Sequence, residues 1–504
     1  MAANDELCYM PATAMATAIR RKELSPVEIV DALLDRIERV NPALNAFTLV
    51  LADEARAAAK AAEADARAGG ALGPIHGVPF TIKDLMYTKG VRTMRGSKAY
   101  ADFVPDENGI TVDRLLAAGG IFLGKTTTPE LGVKGNTECP LTGETNNPWK
   151  TTHIAGGSSG GAAAAAAAGL SPLAHGSDGG GSIRIPASCC GVYGLKPSYG
   201  RVPSFPPPAF QTLSHQGPIT RTVADAALML NVLAGPDDRD PFSIAERGMD
   251  YLTSLEAASV RGLRVAYSRD LGIAPIDPRV AAATDAAAKV FESLGAHVEE
   301  ATPDLTGAEA TFMAIYAGNV GAQAKEYVLT RIGREDVDPA VLELVDRFDR
   351  MSAMDYYRAA YFERPAIYRR VIEFFETYDL LLAPTLATPP FAHQGWAPGP
   401  PQVAGTPISP FFGWLLTYPF NLTGQPAASI RWASPTRAAD QDADRRPPPR
   451  RRRRAARLGR LRAGGPLGRQ GDRTWANGPR RRRAPAIGPG DGEFPRDGPY
   501  APSG

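Results

Sequence analysis

An α/β fold is predicted for this chain, and three observations predict it. Amphipathic helical stretches alternate with short apolar strand candidates along most of the length. The composition, 44% hydrophobic and 22% charged, is that of a packed globular protein. And 504 residues far exceed what one large core needs, so no metal or disulfide staple is required for folding. The same figures exclude a disordered, collagen-like or disulfide-scaffold chain. Cys8, Cys139, Cys189 and Cys190 are too few and too scattered for a disulfide framework.

The elements follow in order. Ser25-Pro26-Val27-Glu28 is a capping box with proline at the first helical position, and Val27, Val30, Leu33, Leu34 and Ile37 then recur at helical spacing. Ala52 to Ala68 is a second helix, rich in alanine and charge, expected on the surface. Gly77-Val78-Pro79-Phe80-Thr81-Ile82-Lys83-Asp84 reads as a strand ending on a lysine. Val112–Ala118 is a helix, and Gly120-Ile121-Phe122-Leu123-Gly124-Lys125 a buried strand. Helical patterns return at Thr222–Ala234, Pro278–Leu294 and Tyr356–Tyr378; Leu263–Tyr267 and Leu380–Pro384 read as strands, the latter buried. Pro389 to Pro410 is a proline-rich loop.

Residues 153 to 200 carry the chemistry. His153-Ile154-Ala155-Gly156-Gly157-Ser158-Ser159-Gly160-Gly161 leads into an alanine helix, and Gly176-Ser177-Asp178-Gly179-Gly180-Gly181-Ser182-Ile183-Arg184-Ile185-Pro186 follows. Glycine runs let backbone approach a ligand and turn several N–H groups to one point. A serine ending such a run could attack a carbonyl while those N–H groups hold the oxyanion. The bland alternatives are a Gly/Ser linker or a phosphate cradle. The flanking helix argues against a linker, and neither run holds the lysine of a Walker-type loop. Glycine content alone leaves the matter open.

At these residues the chain resembles the amidase signature family. The two glycine segments, Gly191-Val192-Tyr193-Gly194-Leu195-Lys196-Pro197, the Gly77–Asp84 lysine segment, Ala383-Pro384-Thr385 and Pro419–Ala427 occur in the family's order, over roughly residues 8 to 430. The resemblance implies α/β/α layers around a large mixed sheet, no cofactor and no metal. It also implies a Ser-Ser-Lys triad. Ser182 matches the nucleophile, Ser158 the bridging serine that follows a cis peptide bond, and Lys83 the base. The oxyanion hole falls on the backbone N–H groups of Gly179, Gly180, Gly181 and Ser182; relatives usually carry Thr or Ile at the position of Gly179, a change that spares backbone donors. Asp178 and Arg184 match family positions and are read as bracing the loop. A lysine is useless as a base at its ordinary pKa of ~10.4, so the mechanism requires Lys83 to be desolvated.

The activity implied is hydrolysis of a small-molecule amide to acid plus ammonia or amine, through an acyl-enzyme on Ser182. A second reading within the family is the A subunit of a glutamyl-tRNA(Gln) or aspartyl-tRNA(Asn) amidotransferase, releasing ammonia from glutamine. Met351–Ala359 keeps little of that subunit's tyrosine-rich segment. His76, His153, His175, His215, His297 and His393 show no metal-ligand spacing, and a Ser-His-Asp site would need one of them. Cys189 and Cys190 are expected in the core. Met313–Tyr316 and Pro389–Trp414 are expected to line the substrate pocket.

The chain divides into an amidase signature domain over 1–430, N-terminal helices included, and a tail over 431–504. The tail holds 19 Arg, no Lys and 7 acids, which leaves the rest acidic although the whole carries +2. Arginine runs could attract nucleic acid, a remote third reading, but an arm built without lysine is an unusual one. The tail is expected to be disordered and frameshift-derived. Shifting by one base lets Arg437 through Arg446 encode Gly-Leu-Pro-(Thr/Ile)-(Lys/Arg)-Met-Gln-Ile-Val-Gly, with which relatives continue. No apolar run reaches the ~18 residues of a membrane span, and the start lacks a secretory pattern. A cytoplasmic protein with no membrane or nucleic-acid partner is expected, a homodimer being left open.

Overall fold

A computed structural model describes residues 3–207 and 212–431. A seven-stranded mixed sheet organises it. In chain order its strands are β1 (Phe47–Val50), β2 (Pro79–Lys83), β3 (Ile121–Thr126), β4 (Leu173–Asp178), β5 (Tyr193–Lys196), β6 (His215–Thr220) and β7 (Ala427–Ser429). Their order across the sheet is β1-β3-β2-β4-β6-β5-β7. The central pairs, β3 with β2 and β2 with β4, are parallel; the outer pairs are antiparallel. β2 and β4 are buried along their whole length, which explains why β2 reads as a continuous run rather than an alternating one; β4, Leu-Ala-His-Gly-Ser-Asp, carries no strand pattern.

The capping box at Ser25 and Glu28 forms as the sequence requires and opens a helix over Pro26–Leu44. The Ala52–Ala68 helix lies at the surface and packs inward through Ala55, Ala59, Ala62 and Ala66, a stripe at spacings of three and four. The alanine helix, Gly160–Ala167, is buried all round because side chains this small let neighbouring elements close on it from every side.

Two expectations are corrected. Leu380–Leu382 is a strand but half-exposed, and it leaves the main sheet: it joins Arg264–Tyr267 and His297–Glu300 in a separate parallel three-stranded sheet. The helix expected over Tyr356–Tyr378 is interrupted, running as Ala353–Arg358, a wide π turn over Ala359–Glu363, then Arg364–Thr377. Pro365 has no N–H to give the preceding turn, and the widened turn absorbs the missing bond. The tail expectations fall on residues 432–504, outside the described residues.

Two hydrophobic clusters hold the molecule. One lies under the N-terminal helices and the central strands; the other gathers around the Ala308–Tyr327 helix, Trp414 and Tyr418. The functional cavity draws on both, taking Met86 from the edge of the first and Leu131 and Tyr100 from the second.

Candidate active site

Parallel pairing of β2 with β4 brings the first two parts together. Phe80 sits opposite Leu173 and Thr81 opposite Ala174, so both strands deliver their last residues, Lys83 and Ser177-Asp178, to the same end of the sheet. Lys83 is fully buried. Its Nζ donates to Ser158 Oγ at 2.7 Å and to Ser177 Oγ at 3.1 Å. Burial disfavours the ammonium and pulls its pKa down to about 7; the Asp178 carboxylate opposes this and is outweighed. Ser158 follows a cis peptide bond after Gly157, as the resemblance implies.

Two other buried lysines show what sets Lys83 apart. Lys125 pairs with Asp84 at 3.8 Å and donates to Thr88 and Thr93. Lys196 donates to the Gln425 and Pro197 carbonyls. Neither donates to a serine of the cavity, whereas Lys83 donates to Ser158 and Ser177, which line it.

The loop from Asp178 to Ile183 is held by one carboxylate. Asp178 Oδ1 accepts the Gly181 N–H at 2.7 Å, and Oδ2 accepts that of Ile183 at 3.2 Å. Arg184 forks onto both oxygens at 2.9 Å and reaches Thr417 O and Asn421 Oδ1. Asn421 Nδ2 returns to Asp178, and Thr417 Oγ1 donates to Gly180 O at 2.6 Å. The Arg184 charge and these hydrogen bonds hold the Asp178 carboxyl well below the usual range despite its burial. Asp178 and Arg184 thus brace the loop, as expected.

This bracing changes the expected oxyanion hole. The Gly181 N–H is turned onto Asp178 and is not free for a substrate oxygen. Among the described residues, no protein acceptor takes the N–H groups of Gly179, Gly180 or Ser182. Of the four expected donors, Gly179, Gly180 and Ser182 keep an N–H without a protein acceptor among the described residues, and Gly181 does not.

The cavity measures about 350 Å3, within the range of small-ligand sites. Its described lining includes no residue of 313–316 or 389–414, correcting the expected pocket loops. Phe312, Ile315 and Tyr316 pack in the core instead, and the far end of the same helix supplies Gln323 and Tyr327. Sequence reasoning assigned no role to Ser177, although it lies inside the quoted motif, nor to Arg95, Tyr100 and Arg331, which carry no motif at all.

His175, Cys189 and Cys190 fall away on burial. His175 is fully buried on Gln216, and desolvation pulls its pKa down to about 3. Cys189 and Cys190 are core thiols, Cys189 being pushed up to about 12 by burial. Buried Asn421 is spent on the loop. Glu138, Glu144 and His393 bring ligand atoms within 4.8 Å of one another, a grouping made by the fold that spacing does not reveal. Lys134 already pairs with Glu138 at 3.1 Å.

Comparison with known proteins adds the following. The profile of the Amidase family matches residues 28–470, continuing past Ile430 into residues the structure does not describe. An acylamidase of Rhodococcus erythropolis is 42% identical over 434 residues, spanning 85% of this chain and 89% of its own. The A subunit of the glutamyl-tRNA(Gln) amidotransferase of Synechococcus sp. (strain CC9605) is 38% identical over 448 residues, 84% of this chain and 89% of its own. A bacterial aryl acylamidase of the amidase signature family superposes with a TM-score of 0.79 at 34% identity, covering 84% of this chain and 89% of that one. Among the described residues, no helix is long and apolar enough to cross a membrane.

Proposed function

The chain belongs to the amidase family, and from that premise we propose how its residues divide the hydrolysis of an amide. The observation that carries the reading is Lys83 Nζ, fully buried, 2.7 Å from Ser158 Oγ, with a pKa near 7. A neutral amine there turns its lone pair to the Ser158 hydroxyl and takes its proton. Ser158 in turn takes the proton of Ser182 as the Ser182 oxygen attacks the amide carbon. The free N–H groups of Gly179, Gly180 and Ser182 hold the resulting oxyanion. Collapse breaks the C–N bond, and the proton returns through Ser158 to the leaving nitrogen. A water, deprotonated by the same relay, then cleaves the Ser182 ester and releases the acid.

The substrate we infer is a small carboxamide with an aryl or alkyl amine as leaving group. The acylamidase and aryl acylamidase relatives support it, as do Tyr87, Tyr100, Phe103 and Phe205 in the cavity wall. The amidotransferase reading is not favoured, its relative being less similar. We place the enzyme in the cytoplasm, acting without nucleic acid, as a monomer or a homodimer.

The test is hydrolysis of simple anilides by the purified chain. Ser182→Ala removes the attacking oxygen and little volume, and is expected to lower kcat at least 10³-fold with an unchanged melting temperature. Lys83→Ala is expected to be nearly as severe, since no histidine is among the described residues that line the cavity. Turnover retained by Ser182→Ala rejects the assignment.

A further inference from the structure

The wall of the cavity contains two guanidinium groups without an anion. Arg95 and Arg331 both line it, together with the buried Tyr100. The Arg95 guanidinium stands 4.9 Å from the Tyr100 ring centroid, and that of Arg331 also 4.9 Å. No Asp or Glu is among the described lining residues, and among the described residues neither arginine makes an ion pair. Arg95 Nε is buried with no acceptor at all.

Arginines of this molecule that reach inward, as half-buried Arg95 does, otherwise behave differently. Arg114 donates to the Leu233, Gly235 and Pro236 carbonyls; Arg221 to those of Ala166, Ser171 and Met10; Arg364 to Leu422 and Thr212. Each spends its N–H groups on acceptors, as a desolvated donor must. At Tyr100 two like charges are gathered around one ring and their N–H groups are left over. Stacking on a ring uses the face of a guanidinium and leaves its edge, the part that grips a carboxylate through two parallel bonds.

Arg95 is also held in place by its backbone. It sits at φ +55°, the left-handed region that non-glycine residues rarely adopt, with its N–H donating to Asp84 O and its carbonyl accepting from Leu131. Such placements persist where the surroundings fix them, and they recur at ligand sites. The Asp84 bond ties Arg95 to the residue after Lys83, so the cationic wall and the reacting groups are set by one short stretch of backbone. Gln323 Oε1, buried without a donor in the same wall, adds an acceptor suited to a substrate N–H.

We propose that the amide substrate carries a carboxylate, held between the edges of Arg95 and Arg331 at the side of the cavity marked by Tyr100. This rests on the cavity being the amide site. Exposed Arg331 first meets the anion from solvent, and half-buried Arg95 takes it deeper. A neutral substrate of the same shape leaves both guanidinium edges unanswered.

The test uses two pairs of anilides, because the anion could ride on either side of the amide. 4-Acetamidobenzoate carries it on the amine, succinanilate on the acyl group; each is compared with its methyl-ketone isostere. For at least one pair, the carboxylate is expected to be favoured tenfold or more in kcat/KM, mainly through KM, with the preference shrinking as salt rises. Arg95→Met and Arg331→Met are expected to bring that ratio near one, and Arg95→Lys to keep part of it. Calorimetry on Ser182→Ala protein reads the same preference as binding, independently of turnover. Carboxylates bound no better than ketones overturn the proposal, as does an unchanged ratio in both methionine variants of native melting temperature. Anionic preference in binding without hydrolysis of any anilide would instead overturn the catalytic reading and leave the anion site standing.

Discussion

A lysine amine in water keeps its proton to about pH 10.4, and Lys83 loses it near 7 because the ends of β2 and β4 and the loop above them exclude water from it. The consequence for rate is direct. Where chemistry limits turnover, kcat/KM is expected to rise with pH through about 7 and level off above it, with no such rise for a flat, lysine-independent mechanism. The consequence for stability has a definite sign. Between about 7 and 10.5 the unfolded chain holds a proton on Lys83 that the folded chain has released, so stability contributed by this site increases with pH. From pH 7 to 9 the gain is on the order of 2 kcal/mol relative to Lys83→Met, which has no proton to release. Denaturant unfolding of the two proteins at both pH values measures it; parallel behaviour contradicts a buried, neutral lysine. At this scale the residues we assign to the reaction could be picked out in the sequence because they lie in contiguous motifs. Arg95 and Arg331 were not, since only the fold brings residues 236 positions apart to one ring.

The element that converts these residues into a site is the loop joining β4 to the Arg184–Cys190 helix. Its turns are legible as glycines, but the use of each N–H is not: the sequence shows four consecutive donors, and only the position of Asp178 reveals that Gly181 serves the loop itself. Gly181 has φ +131°, and a Cβ there would lie 2.0 Å from Thr417 Oγ1. Gly181→Ala is therefore expected to push the loop off Thr417 and cost on the order of 10²-fold in kcat, the scale of a displacement of about 1 Å at a reacting group. Gly235→Ala, at φ +109° with nothing within 4 Å, is the control: it strains a backbone far from the loop and should spare kcat. Helix boundaries were readable wherever a cap lay close in sequence, as at Ser25 and Thr222. The three-stranded sheet was not, because the parallel partner of Leu380–Leu382, Val265–Tyr267, lies 115 residues earlier and leaves no local mark.

At the scale of the whole molecule, β7 closes the described sheet with β5 as its one described partner, and Ile430 beyond it is 51% exposed. The family resemblance implies that relatives continue after this point with the Gly-Leu-Pro-to-Val-Gly stretch, which the sequence as written lacks. The sequence from Thr436 to Arg473 has one β-branched residue and no aromatic one, a composition depleted in the residues that strands favour. Losing the cover of even four Leu, Ile or Val side chains at ~1.5–3 kcal/mol each rivals a domain's net stability of ~5–15 kcal/mol. We infer that the shifted frame is the cause, and expect the chain as written to be poorly soluble or nearly inactive beside a frame-restored version. Expression of both, compared in melting temperature and anilide turnover, decides; equal values show the missing stretch to be dispensable.

The central claim is that an amide is cleaved through an ester on Ser182, and rapid quenching during anilide turnover tests it most directly. Intact-mass and peptide mapping of the quenched protein are expected to find the acyl group on the peptide containing Ser182, and to find none on Ser182→Ala. Turnover with an acyl group on any other residue, or with Ser182 unmodified under conditions where deacylation limits the rate, would contradict it.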